Sequence, residues 1–366
     1  MNIRQGKILS IGILSMQEVK NYGSFLQAFS LKNIIETLGC HCSFVNIIPG
    51  KQLPGYQVER FHKIKLLLER LRGRDFLKRG IVIFKFQNRF AKEFLPYLGV
   101  KSGRTQGHFD IIVIGSDEVF NCTQKTWFGF SPQLFGKGLD TDEIITYAAS
   151  FGSTTVEKLE QLGIRNEVAG YLNNINQFSV RDDNSQEIIR RLTGKDPQLH
   201  VDPVFIYDYS KFVPNEKHTS DYIIVYSYPG RISDPKEITS IQDFASKKGL
   251  RLLSIGHYFT WCDDVVVPTP FEVLAWFRDA AYIITDTFHG SVFSIKYNKK
   301  FVAIVREMNK QKLTYLLKFW GLENRIVSEM SLLSSIIDCD INYTLINQKI
   351  AEERMKSIDY LRSNLQ

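Results

Sequence analysis

The feature that most constrains this chain is a rhythm. Short, nearly uncharged apolar runs alternate with segments whose apolar residues recur at helical spacing, and the rhythm stops once and starts again. KILSIGILS, FDIIVIGSD and EIITYAASFG read as strands buried on both faces, because their apolar residues run on without regular polar alternation. After the first, Phe25, Leu26, Phe29, Leu31, Ile34, Ile35 and Leu38 fall at helical spacing, with Gly39 as a stop. HCSFVNII is a second strand, VEKLEQLGIRNEVAGYLNNI predicts one helix or two, and QFSVRDDNSQEIIRRLTG repeats strand, turn and helix before LHVDPVFI closes this half. Beyond the polar stretch YSKFVPNEKHTSD the series resumes: strand DYIIVYSY, helix DPKEITSIQDFASKKG, strand RLLSIG, an aromatic loop, helix PFEVLAWFRDA, strand YIITD, helix GSVFSIKYN and strand FVAIV. Strands alternating with helices imply parallel sheets, so the expectation is an α/β chain of two Rossmann-like domains facing a cleft. The boundaries read as a first domain at 1–207 with an insertion at 51–100, a linker at 208–220, a second domain at 221–335 and a charged amphipathic helix at 336–366.

A chain of 366 residues, 44% of them apolar, can bury cores for two such domains. Its longest uncharged apolar runs reach about half of the roughly 20 residues that cross a bilayer. MNIRQGKILSIGILS is followed by polar SMQEVKN with no small-x-small cleavage site, so it reads as a core strand and not as a signal peptide. The five cysteines form no CxxC pair, and reduced cytosolic thiols are the expectation. Cys40 and Cys42 flank His41, but successive strand residues point to opposite faces, which argues against a metal site there. No metal and no cofactor is expected.

The net charge of +7 belongs to one segment. Between Lys51 and Val100, twelve Lys or Arg face four acids, a local +8 that leaves −1 for everything else. One reading of this segment is a solvated helical face with an apolar underside. The other is an arm resting on anionic lipid, worth roughly 1 kcal/mol for each basic residue near the surface. Nucleic acid is not expected as a partner, because the rest of the chain is near neutral and carries no binding module.

In open parallel sheets, ligands bind outside the carboxyl ends of the strands. Four loops at such ends are polar: EVKNYGS, GSDEVFN, SVRDDNS and TDTFHGS. If a helix begins at Gly290 or Ser291, its first N–H groups offer an anion site and His289 stands beside it as an acid or base. His289 can equally be a residue that terminates the turn. Arg181 ends a strand, where its planar fork suits a carboxylate or phosphate, or an ion pair with Asp182, Asp183 or Asp202. Asp117 is an exposed carboxylate or a helix cap. Asn21, Tyr22 and Gly23, with Gln27 one turn on, offer neutral hydrogen-bonding groups and an aromatic face, which suit a sugar.

Taken in order, NYGSFLQAFSLKNIIETLG, FDIIVIGSDEVFN, ITYAASFG, FSVRDDNS, HVDPVF and ITDTFHGSVFSIKYNKKFVAI resemble the polysaccharide pyruvyl transferase family, over about residues 10 to 328. The resemblance implies a GT-B-like fold and transfer of the enolpyruvyl unit of phosphoenolpyruvate to a sugar, usually as a cyclic ketal. It places the family's histidine on His289 and its strand-end arginine on Arg181. Where some members have Arg-Leu-His, this chain has Thr287-Phe288-His289, so a guanidinium is missing from that loop; Arg306, Lys312 and Lys296 are the candidates to replace it. The expected substrate contacts are completed by Ser116 beside Asp117 and by Thr287, Phe288, Gly290 and Ser291 around His289. In this scheme His289 is the acid, Arg181 holds the donor's carboxylate or phosphate, and Asp117 is the base at the sugar hydroxyl. The implied partners are phosphoenolpyruvate and a sugar acceptor, free or lipid-linked, of an exopolysaccharide or capsule. The implied location is cytoplasmic, peripheral to the inner face of the plasma membrane if the basic segment meets lipid. Two other readings share the architecture: a glycosyltransferase using a nucleotide sugar, and a non-catalytic sugar-binding homologue.

Overall fold

The computed structural model describes residues 8–56, 75–100 and 107–365. Two separate parallel sheets carry the fold. The first contains β1 (Ser10–Leu14), β2 (His41–Phe44), β3 (Phe109–Asp117), β4 (Thr141–Ala149), β5 (Ser179–Val180) and β6 (Gln198–Leu199), in the order β2-β1-β3-β4-β5-β6. The second contains β7 (Tyr222–Tyr226), β8 (Arg251–Ile255), β9 (Asp264–Val266), β10 (Tyr282–Thr285) and β11 (Phe301–Ala303), in the order β11-β10-β7-β8-β9. The named strands pair in parallel throughout both sheets. Parallel neighbours need crossovers; most of these carry a helix, whereas β8 and β9 are joined by residues 256–263 without one.

The apolar runs become central strands for a plain reason: helices cover both faces, so side chains of both parities are buried. β7 is buried along its whole length, and β3 is buried from Ile111 to Ser116. Packing is close enough that a Cβ on Gly12 would lie 2.9 Å from both Ile112 and Val45, which is why β1 tolerates a glycine at its centre. The helix after β1 runs Tyr22–Thr37 and is capped by Asn21, whose side chain accepts from Ser24 N. VEKLEQLGIRNEVAGYLNNI forms two helices, Val156–Gln161 and Arg165–Leu172. β9 forms next to the aromatic loop, a short edge strand that the residues do not announce.

The chain divides into two compact units. One comprises Met1–His62, Leu95–Tyr207 and Gln348–Gln366; the other comprises Lys63–Phe94 and Asp208–Asn347. Within the basic segment, residues 75–100 form the helix Phe76–Arg89, a π-helical turn Phe90–Phe94 and a short helix Leu95–Leu98. Residues 57–74, on which much of the lipid-arm reading rests, lie outside the described residues. Among the described residues no helix is long and apolar enough to cross a membrane.

In each sheet the strand order reverses once. The first turns between β1 and β3, the second between β7 and β10. Crevices at such reversals, outside the carboxyl ends of the strands, are where ligands bind in open α/β sheets.

Candidate active site

At the reversal of the first sheet, β3 ends in Asp117, held in the left-handed region at φ 78°. A non-glycine residue there is uncommon, and such strain concentrates at functional positions. Five side chains form a continuous chain around it. Asn21 Nδ2 donates to Ser24 Oγ at 2.9 Å, and Ser24 Oγ donates to Asp117 Oδ2 at 2.9 Å. Asp117 Oδ1 lies 3.5 Å from Arg181 Nη2, and Arg181 Nη1 donates to Asp202 Oδ2 at 3.1 Å. Asp202 in turn caps the helix Pro203–Ile206 by accepting from Val204 N.

Arg181 is buried, and so is Asp202, whereas the Asp117 side chain keeps 14% of its surface exposed. Burial alone would lower the arginine's pKa; Asp117, Asp202, Glu118 and Asp182 together raise it. The guanidinium is therefore engaged by carboxylates on two sides. An excess of acids over one cation opposes a second anion and suits hydroxyl groups. Asp182 accepts from Ser150 Oγ at 2.6 Å and from Ser185 N at 2.7 Å, and burial raises its pKa.

The neighbouring loop is more enclosed than a sugar platform would be. Tyr22 and Gly23 are buried within the helix start. Gln27 is fully buried, accepts from Ser116 Oγ at 2.7 Å and donates to Ser15 Oγ and Ser24 O, each at 3.0 Å. These groups hold the β1 and β3 ends together. Asn21, partly exposed, and Asp117 are what this corner presents.

At the reversal of the second sheet the helix is Phe288–Lys296, starting two residues before the GSVFSIKYN that the sequence predicts. Thr287 is its cap, so His289 occupies the helix's second position and is not a loop residue. This changes the expected anion site. Gly290 N–H donates to Thr287 Oγ1 at 2.9 Å and Ser291 N–H to Thr287 O at 3.2 Å, so the two donors assigned to a phosphate are committed to the cap. Gly290 is a glycine because a Cβ there would stand 2.2 Å from Thr285 Oγ1. The His289 ring packs near Phe288 and Phe293, with centroids 5.4 and 5.9 Å away.

Asp286, fully buried, lies between two guanidiniums: Arg231 Nη1 and Arg306 Nε are each 4.0 Å from its oxygens. Burial raises its pKa, and Ser227, Arg231 and Arg306 oppose the rise. Of the cations expected to serve His289, Arg306 is clamped on Glu237 by two bonds of 2.7 and 2.8 Å, and Lys296 Nζ sits 5.3 Å from the Tyr209 ring centroid. Lys312 lies on the helix Lys310–Phe319. The other guanidinium at the strand end is Arg231, from the loop after β7, which among the described residues has no carboxylate clamp like that of Glu237 on Arg306. It stacks on Tyr228 at 4.5 Å and its Nη1 reaches the Asp286 carbonyl at 3.5 Å.

Arg231, Asp286, Ser24 and Asp202 do not appear among the expected site residues. A usable signal for Arg231 was its place in a Pro-Gly loop at a strand end. The other three look like ordinary caps or turn residues.

A family model described as polysaccharide pyruvyl transferase matches residues 21–307. No curated protein matches significantly. Among solved structures, Arabidopsis thaliana UGT89C1 complexed with UDP-L-rhamnose is similar at a TM-score of 0.50 and 10% identity, covering 98% of this chain and 99% of that one. The Streptomyces sp. SF2575 glycosyltransferase SsfS6, complexed with thymidine diphosphate, has a TM-score of 0.49 and 14% identity, with 97% and 98% covered. UDP-GlcNAc 2-epimerase from Methanocaldococcus jannaschii has a TM-score of 0.47 and 10% identity, with 91% and 92% covered.

Proposed function

This chain belongs to the polysaccharide pyruvyl transferase family and has a GT-B-like α/β fold, and from that premise we propose that it moves the enolpyruvyl unit of phosphoenolpyruvate onto two hydroxyls of one sugar. The product is a pyruvate ketal on a cell-surface polysaccharide, capsule or exopolysaccharide, or on its lipid-linked precursor. The observation that carries this reading is the carboxylate excess around Arg181. A site with Asp117 and Asp202 flanking one guanidinium favours sugar hydroxyls over a trianionic donor, which supports a reading with the acceptor at the first unit and phosphoenolpyruvate at the second.

There the groups suited to an anion are Arg231, partly exposed, and the His289 imidazole. His289 delivers a proton, either to the methylene carbon or to the departing phosphate. Protonation of the methylene makes the neighbouring carbon electrophilic. One hydroxyl adds to it, its proton passing to Asp117. The bond from that carbon to the phosphate oxygen then breaks, and the second hydroxyl closes the ketal as its proton leaves with phosphate. Arg181 acts in this scheme by holding the Asp117 carboxylate; any contact it makes with the donor is secondary.

The basic segment 51–100 fits an acceptor carried on a membrane, with the enzyme peripheral to an anionic face.

The test is acceptor-dependent release of phosphate from phosphoenolpyruvate, with mass spectrometry of a panel of galactosides, mannosides and their lipid-linked forms. His289→Ala should lower turnover about a hundredfold or more, the usual scale for an acid–base group, with an unchanged melting temperature. Wild-type turnover in that variant would rule out the mechanism. Consumption of a nucleotide sugar without use of phosphoenolpyruvate would favour a glycosyltransferase, and sugar binding without either reaction a non-catalytic homologue.

A further inference from the structure

The helix Phe76–Arg89 has two working faces. On the inner one, Val82 and Phe86 are buried, Phe86 packs on the His257 ring with centroids 6.2 Å apart, and Arg89 Nη1 donates to Val267 O at 2.6 Å. Arg79 and Ile83, one turn apart on the same side, line a pocket of ≈ 570 Å³ with Gly230, His257, Phe259 and Trp261. That face is fixed to the second unit.

The outer face is apolar and open. Leu77, Ile81 and Phe84 are 65%, 64% and 72% exposed, and their spacing of four and three places them in one stripe. Lys78 and Lys85, seven residues apart, lie together along one flank, both exposed. The helix contains four cations and no acid. An apolar stripe alone would fit either lipid or another protein. The cations select between them: a second copy of this helix would bring like charges together, whereas an anionic bilayer accepts the stripe and attracts its flank.

We propose that the helix Phe76–Arg89 docks this enzyme on an anionic lipid surface, with Leu77, Ile81 and Phe84 entering the interface and Lys78 and Lys85 meeting the headgroups. The proposal rests on the pyruvyl-transfer reading only in expecting the acceptor to be lipid-borne; the docking itself stands on the helix.

The experiment is co-sedimentation of the full chain with vesicles of phosphatidylcholine alone or mixed with phosphatidylglycerol. Wild type should bind the mixed vesicles and not the neutral ones, and less in high salt. Lys78→Gln with Lys85→Gln should weaken binding about thirtyfold at the usual gain per cation. Leu77→Ser, Ile81→Ser and Phe84→Ser together should abolish it. All five positions are exposed, so melting temperatures should not change. Equal binding to neutral vesicles, or wild type left in the supernatant with both, overturns the proposal. So does a stripe variant that turns a dimer into a monomer on size exclusion while vesicle binding is unaffected, which would make the stripe an interface between copies. Phosphate release with a soluble acceptor, measured on the same variants, reports on the pyruvyl-transfer reading separately and should be unchanged.

Discussion

At the scale of single residues, the decisive question is what Arg181 is for. Its guanidinium is buried between Asp117 and Asp202, so removing it leaves two carboxylates facing each other without compensation. Arg181→Ala should cost about 3–5 kcal/mol of stability, the range for breaking a buried ion pair from one side. Adding Asp202→Asn should recover much of that loss, because the uncompensated charge goes with it; equal melting temperatures for the single and double variants would show that the pair is not coupled. Asp117→Asn is the sharper probe of chemistry. Asparagine tolerates the left-handed backbone at φ 78°, so the fold should hold, while turnover falls about a hundredfold if the carboxylate takes a hydroxyl proton. The sequence showed Arg181 and Asp117 as strand-end residues because their place follows from the apolar runs before them. It did not show that they meet each other, since they are 64 residues apart in the chain and the contact depends on β3 and β5 flanking β4.

At the scale of elements, the helix after β10 shows where local reading stops. Gly290 looks like a helix boundary, and the sequence places the start there. In the fold the glycine lies inside the first turn, because Thr285 Oγ1 occupies the space a Cβ would need. A steric demand from the preceding strand has the same signature in sequence as a conformational break. Two substitutions separate these roles. Thr287→Ala removes the cap on Gly290 N–H and should cost about 1 kcal/mol. Gly290→Ala must displace two threonine hydroxyls, at 2.2 and 2.7 Å from the added carbon, and should lower the melting temperature further while shifting His289 and reducing turnover. A Gly290→Ala variant more stable than wild type would mean that helix propensity outweighs the clash. The helix Phe76–Arg89 makes the converse point: its amphipathic composition was legible, but the attachment of its inner face to His257 and Val267 involves residues some 170 positions away.

At the scale of the whole molecule, the two units share an acid sensitivity that neither their sequence rhythm nor their active-site loops reveal. Each holds a neutral histidine, buried in the first unit and half-buried in the second. In the first unit, His200 bonds Ser179 Oγ through Nδ1 at 2.8 Å and packs on Tyr360 of the C-terminal helix Tyr343–Leu365, with centroids 4.7 Å apart. Burial, with Lys356 nearby, pushes its pKa down to about 4. In the second, His257 stands between Phe86 and Tyr228, and burial with the Arg231 charge pushes it to about 4 as well. The folded values lie below the unfolded value near 6.5, so the unfolded chain binds the protons more tightly. The stability these groups contribute is full above about pH 6.5 and is lost as pH falls through 4, by roughly 3 kcal/mol for each histidine. Melting temperature should therefore fall steeply across this window, and His200→Asn or His257→Asn should each flatten the fall. The pattern also reports how the units are coupled. If they unfold as one cooperative system, each variant removes about half of the slope from a single transition. If they unfold separately, each flattens only its own transition, and hydrogen exchange would show His200→Asn changing the acid response of Thr141–Ala149 and the C-terminal helix while leaving Tyr222–Tyr226 as in wild type. A wild-type melting temperature that does not change between pH 6.5 and 4 would contradict the neutral state of both histidines.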